Sequence, residues 1–135
     1  MNDQSKFPEK KTRLMIVDDL LQVRQGLASV LKLAASATRG GIEIIGEAQN
    51  GSEAVEMALS FRPDVVLMDL EMPILDGYEA TRRIKQASPA IWIVALTIHG
   101  DQTARLKAGQ AGVDAFVEKG APLKELIQAI QERNS

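Results

Sequence analysis

Five polar residues in this chain stand where apolar runs end, and together they have the makings of a phosphoryl-accepting site. Leu14-Met15-Ile16-Val17 runs into Asp18 and Asp19, and Val65-Val66-Leu67-Met68 stops at Asp69. Ile91-Trp92-Ile93-Val94-Ala95-Leu96 stops at Thr97, and Ala115-Phe116-Val117 leads through Glu118 to Lys119. Two carboxylates ~4 Å apart repel by about 4 kcal/mol at an effective dielectric of 20. Such a cluster either holds a proton or binds a cation. With no cysteine or histidine among the run ends, the matching cation is a hard one, Mg²⁺ or Mn²⁺. A carboxylate beside such an ion is a competent nucleophile for phosphoryl transfer, a lysine offsets charge on the transferring group, and a hydroxyl donates to its oxygens. Each piece alone has an ordinary structural explanation: adjacent aspartates often cap a helix, and a lone lysine is usually a solvated surface charge. Their joint placement outweighs those explanations.

The joint placement depends on the elements between. Unbroken, β-branched runs suggest strands buried on both faces, hence a parallel sheet whose carboxyl ends share one edge. Val23, Leu27, Val30 and Leu31 form the stripe of a first helix that ends within Ala34 to Gly41. Ile42, Ile44 and Gly46 alternate imperfectly with Glu43 and Ile45, as in an edge strand. Asn50-Gly51 marks a turn before a second helix from Ser52, which Arg62-Pro63-Asp64 breaks. Asp76 is a plausible N-cap for a third helix carrying Ala80, Ile84 and Ala87 inward, closed by Ser88-Pro89. His99-Gly100-Asp101 opens a fourth helix, from about Gln102 to Gln110, whose inward residues are mostly alanines; Gly109 and Gly112 end it. Pro122 suits the first turn of a fifth helix, with Leu123, Leu126, Ile127 and Ile130 on one face. Right-handed crossovers then give an α/β fold, a doubly wound five-stranded parallel sheet of order 2-1-3-4-5, flavodoxin-like. In that order Asp69 lies on the central strand, with Asp18 and Asp19 on one neighbour and Thr97 and Lys119 on the other side. Asp69 is therefore the nucleophile expected.

At 135 residues the chain is read as one domain, able to bury about two-thirds of its unfolded surface. Charges nearly balance, at net −2, so no basic face marks direct DNA binding. The absence of cysteine excludes disulfides and thiolate metal sites and fits a cytoplasmic location. No apolar stretch approaches the ~20 residues a membrane span needs. Residues 1–12 are polar, with Lys6, Pro8, Lys10 and Lys11, and read as a mobile tail rather than a signal peptide.

From about Arg13 to Ile130 the chain resembles the receiver domain of two-component response regulators. The resemblance is carried, in order, by Ile16-Val17-Asp18-Asp19, Asp64-Val65-Val66-Leu67-Met68-Asp69, Met72-Pro73, Asp76-Gly77, Ala95-Leu96-Thr97 and Phe116-Val117-Glu118-Lys119. It implies a receiver over residues 13–135, with Asp69 accepting phosphate from a histidine kinase. It further implies that Asp19 binds Mg²⁺ directly, Asp18 mainly through water, and that the backbone carbonyl of Glu71 adds a ligand. Thr97 and Lys119 would contact the phosphoryl group, and Phe116 would be the aromatic switch residue. Asn50-Gly51-Ser52-Glu53-Ala54, Tyr78-Glu79-Ala80-Thr81-Arg82-Arg83-Ile84 and Leu123-Lys124-Glu125-Leu126 look like the subgroup that precedes helix-turn-helix transcription factors. Where many receivers follow the lysine with proline, this chain has Gly120, and the stretch from Ala34 to Gly41 looks longer than usual for the family.

The expected function is thus a switch that carries out its own phosphoryl transfer and slow hydrolysis rather than a turnover enzyme. The output expected is transcriptional, with a phosphorylation-dependent homodimer through residues 101–135. Two rivals stand beside it: a Mg²⁺-dependent aspartyl-phosphate phosphatase, against which Glu71 stands where those enzymes carry aspartate, and a pseudo-receiver used only for docking. Whether the domain acts alone or within a longer regulator stays open. His99 and Glu71 are read as tuning water access to the acyl phosphate, Trp92 as a core residue, and Arg82-Arg83 as a solvated face.

Overall fold

The computed structural model describes residues 10–38 and 40–134. Strands and helices alternate: β1 (Thr12–Val17), α1 (Leu21–Leu33), β2 (Ile42–Ala48), α2 (Gly51–Phe61), β3 (Val65–Asp69), α3 (Gly77–Ala87), β4 (Trp92–Thr97), α4 (Gln102–Ala111), β5 (Ala115–Glu118) and α5 (Leu123–Gln131). The strands form one parallel sheet in the expected order, β2-β1-β3-β4-β5. The expected tail lies outside the described residues as far as residue 9, and Thr12 already belongs to β1.

The apolar runs make a two-faced core because successive strand residues point to opposite faces of the sheet. Leu14, Ile16, Val65, Leu67, Val94 and Leu96 face α1 and α5, where they meet Leu31, Leu126, Ile127 and Ile130. Met15, Val17, Val66, Met68 and Ile93 face α2 and α3, where they meet Ala54, Ala58, Ala80 and Ile84. A third, small cluster of Leu70, Ala95 and Ala108 lies under α4, with Tyr78, Val113 and Phe116 packed against it. Burial of every residue of β3 explains why that run shows no alternation.

Several helix ends follow from single side chains. Asn50, Asp76 and Asp101 cap α2, α3 and α4 by accepting the backbone N–H of Glu53, Glu79 and Ala104 at 2.8, 2.9 and 2.8 Å. Glu53 Oε1 in turn accepts the Gln49 N–H at 3.1 Å, and α2 begins one residue before Ser52, at Gly51.

The structure corrects the pattern reading in detail. Leu14 pairs with Ile44 but Met15 with Gly46, so Ile45 is an extra residue in β2 and the edge-strand alternation slips there. Val30 is exposed while Ala28 turns inward beside Leu31, and Leu123 is likewise exposed. Gly109 lies within α4, which runs on to Ala111. Trp92 is half-buried at the core's rim, and its indole N–H donates to the Ala129 carbonyl at 3.0 Å. Arg82 and Arg83 are solvated as expected, both paired with Glu79. The described residues contain no cis peptide bond, and no helix among them is long and apolar enough to cross a membrane.

Candidate functional site

The carboxyl edge of the sheet brings Asp18, Asp19 and Asp69 together, with one oxygen from each lying within 4.8 Å of the others. Asp69 is the last residue of β3, Thr97 the last of β4, and Lys119 follows β5 directly. Lys119 Nζ lies 3.0 Å from Asp18 Oδ2 and 3.5 Å from Asp69 Oδ1. Both aspartates are buried, whereas Asp19 is exposed.

Burial sets the electrostatics. Loss of hydration raises the Asp69 pKa from 3.8 to about 6, and the nearby Asp18 charge adds to the rise. The Glu71 backbone N–H, donating to Asp69 Oδ1 at 3.1 Å, and the Lys119 ammonium pull it partly back. Burial acts on Lys119 in the opposite sense, lowering its pKa. Its hydrogen bond to Asp18 and the Asp69 charge outweigh that effect and leave it raised. Two buried carboxylates thus share one ammonium with a third carboxylate nearby, a site short of positive charge.

The loops around the aspartates are held by the backbone. Asp18 N–H donates to the Ala48 carbonyl at 3.1 Å, and Asp18 Oδ1 accepts the Leu20 N–H at 3.0 Å. After Asp69 the chain folds back, with Gly77 N–H donating to the Leu70 carbonyl at 3.2 Å. A Cβ on Gly77 would sit 2.1 Å from the Asp69 carbonyl oxygen, so only glycine lets α3 start this close to the end of β3. Between them, Leu75 N–H donates to the Pro73 carbonyl at 2.8 Å across Ile74, an exposed residue at φ 72°. Ile74 is the strained centre of that tight turn.

Thr97 and Phe116 face the other side of the crevice. The Thr97 hydroxyl donates to Glu71 Oε1 and accepts the His99 N–H, each at 3.0 Å. His99 Nε2 lies 3.2 Å from Glu71 Oε2, so the two side chains meet at the mouth. Phe116 is half-buried, with the Arg105 guanidinium carbon 4.4 Å from its ring centroid.

Two contacts at the site carry no sequence signal of their own. Arg24 on α1 donates to the Asp18 carbonyl at 2.8 Å and pairs with Glu47 at 3.1 Å, tying the acidic loop to β2. The Glu71 side chain, beyond its expected backbone carbonyl and its place near the acyl phosphate, is the hydrogen-bond partner of Thr97. Neither follows from spacing, because each depends on how separate loops meet.

A doubly wound sheet carrying an acidic cluster and a lysine at its carboxyl edge is the arrangement of a signalling receiver domain. The chain belongs to the response regulator receiver domain family, whose model matches residues 14–131. It is 38% identical over 119 residues to the response regulator GacA of Pseudomonas viridiflava, covering 88% of this chain and 53% of that protein. It is 36% identical to a LuxR-family two-component response regulator from an Aurantimonas species, with a TM-score of 0.82 over 91% of this chain and 84% of that one. The receiver domain of a putative response regulator NarL from Mycobacterium tuberculosis superposes with a TM-score of 0.83 at 26% identity, covering 92% and 96% of the two chains. The chain spans about half the length of the curated relatives it matches.

Proposed function

We propose that Asp69 accepts a phosphoryl group from a histidine-kinase phosphohistidine in a Mg²⁺-dependent reaction. The observation that carries this reading is the buried Asp69 carboxylate set against Asp18, Asp19 and Lys119. One Asp69 carboxylate oxygen is the attacking atom, with the Glu71 N–H and Lys119 placed about Oδ1 to position the group. Its lone pair forms the new P–O bond while the P–N bond of the phosphoimidazole breaks, and the departing imidazole nitrogen keeps that electron pair and takes up a proton. Lys119 pairs with charge on the transferred group, and the Thr97 hydroxyl donates to one of its oxygens once the group is in place.

The donor set fits a hard divalent ion, being all oxygen, convergent and short of positive charge. Asp19, Asp69 and the Glu71 carbonyl would hold Mg²⁺ (Mn²⁺ in its place), with Asp18 reaching it through water. When bound, the ion supplies charge neutralisation and orientation for the incoming phosphoryl oxygens. Asp18 suits an indirect part because both its oxygens already have partners in Lys119 and the Leu20 N–H.

The receiver spans residues 13–135 and works in the cytoplasm, where its kinase presents phosphohistidine. Its output is transcriptional, by similarity to relatives named as LuxR-family regulators. Movement of Thr97 lets Phe116 turn inward and shifts α4, which reshapes the residue 101–135 face for phosphorylation-dependent dimerisation. The acceptor is tested with acetyl phosphate and Mg²⁺: intact-mass spectrometry is expected to show one labile phosphoryl group, absent in Asp69→Asn and absent with EDTA. Labelling that persists in Asp69→Asn would overturn the assignment.

A further inference from the structure

Thr97 has one hydroxyl proton, and in this structure it is already committed. It lies 3.0 Å from Glu71 Oε1, against 3.5 Å from the His99 carbonyl oxygen, so the carboxylate is the favoured acceptor on both distance and charge. The same hydroxyl oxygen accepts the His99 N–H, and the His99 ring meets the second Glu71 oxygen. Thr97, Glu71 and His99 therefore close a ring at the mouth of the crevice. Glu71 also belongs to the acceptor side, because its backbone N–H donates to Asp69 Oδ1. One residue thus touches the acceptor through its main chain and the switch hydroxyl through its side chain.

We infer that the Glu71 side chain is a placeholder, occupying the Thr97 hydroxyl in the unphosphorylated molecule until a phosphoryl group on Asp69 displaces it. Glu71 is a positioning residue that acts through Thr97. An anionic oxygen is the acceptor in both states, so Thr97 never loses a charge-assisted hydrogen bond; it changes one for another. Exchange is set by competition. The incoming phosphoryl charge repels the Glu71 carboxylate, and the half-exposed Glu71 side chain can swing into water at small cost. The ring then opens at His99, which leads directly into the N-cap of α4 at Asp101. Glu71 holds the resting state in this way, and its removal favours the activated one.

The inference rests on Asp69 being the acceptor, and the test separates the two. Beryllofluoride affinity is measured by titration at saturating Mg²⁺ in the full chain, for wild type, Glu71→Ala, Thr97→Ala and the double variant. Glu71→Ala is expected to tighten binding about tenfold when Thr97 is present and about twofold or less in the Thr97→Ala background, the residue of simple charge removal. Glu71→Gln, which keeps an acceptor for Thr97 without the charge, is expected to fall between wild type and Glu71→Ala. An equal gain in both Thr97 backgrounds, or weaker binding in Glu71→Ala, overturns the placeholder and leaves the acceptor reading standing. Beryllofluoride binding that survives in Asp69→Asn overturns the acceptor reading, and the placeholder with it.

Discussion

The two sides of the crevice are built to different standards. On the aspartate side, β1 and β3 are central strands whose apolar residues are buried on both faces. The loops that follow them are fixed by the Asp18 bonds to Ala48 and Leu20, by Arg24, and by the glycine approach at Gly77. On the other side, the buried residues of α4 are alanines, Ala108 and Ala111, while Leu106 points to solvent. By contrast α5 buries Leu126, Ile127 and Ile130. At about 25 cal/mol per Å² of apolar area, a helix seated on two methyl groups gains a small fraction of what α5 gains. The other attachments of α4 are surface ones, Arg105 over Phe116 and Lys107 over Tyr78 at 4.3 Å from the ring centroid. The difference is physical: one side holds charges in place against their repulsion, and the other is lightly packed and therefore cheap to shift.

The largest consequence concerns Lys119, the ammonium that both buried aspartates share. Lys119→Met retains most of the stem and removes the charge. It is expected to slow acetyl phosphate labelling by about 10²–10³-fold, the usual size of losing one preorganised electrostatic partner. A loss below tenfold in single-turnover labelling would mean that the rigid side does not depend on this contact.

The next effect is on stability, and its sign is opposite to intuition for an acidic site residue. The folded pKa of Asp69, about 6, lies above its ordinary 3.8, so its favourable contribution is complete below pH 4 and is lost as pH rises through 6. In metal-free protein, Asp69→Asn is therefore expected to be more stable than wild type at pH 7–8, by about 3 kcal/mol at most, with no difference below about pH 4. Urea melts at both pH values with EDTA measure this directly. For the same reason Mg²⁺ affinity should fall as pH drops through 6, since the protonated carboxyl is a poor ligand.

A smaller contrast lies within the aspartate side itself. Asp19 is exposed and free to bind, whereas Asp18 is committed to Lys119 and Leu20. Calorimetry is expected to show Asp19→Ala weakening Mg²⁺ by about tenfold more than Asp18→Ala, about 1.4 kcal/mol. Equal losses would place both carboxylates on the ion.

The smallest effect belongs to the lightly packed side. Arg105→Ala removes the cation over Phe116 and should cost about 0.5–1 kcal/mol of stability. Acetyl phosphate labelling should be unchanged, because no group on the aspartate side is touched. Amide exchange within α4 should rise. Slower labelling in this variant would show that the two sides are not separable.

Much of this molecule was legible before any coordinates. The strands and the residues at the crevice follow from apolar runs that end at or beside Asp18, Asp69, Thr97 and Lys119, and a run with its end is a local pattern. The caps at Asn50, Asp76 and Asp101 act within three residues, so their positions were open to the same kind of reading. Other features needed the folded chain. The Ile45 bulge shows only against its partner strand, and Val30 and Ala28 exchange places according to how α1 rolls on the sheet. Arg24 meets Glu47, and Thr97 meets Glu71, across sequence separations of 23 and 26 residues. Residue type says that a carboxylate will seek a donor. Which donor it finds is decided by packing, because side chains on separate loops meet only where the buried strands beneath have set the distance between them.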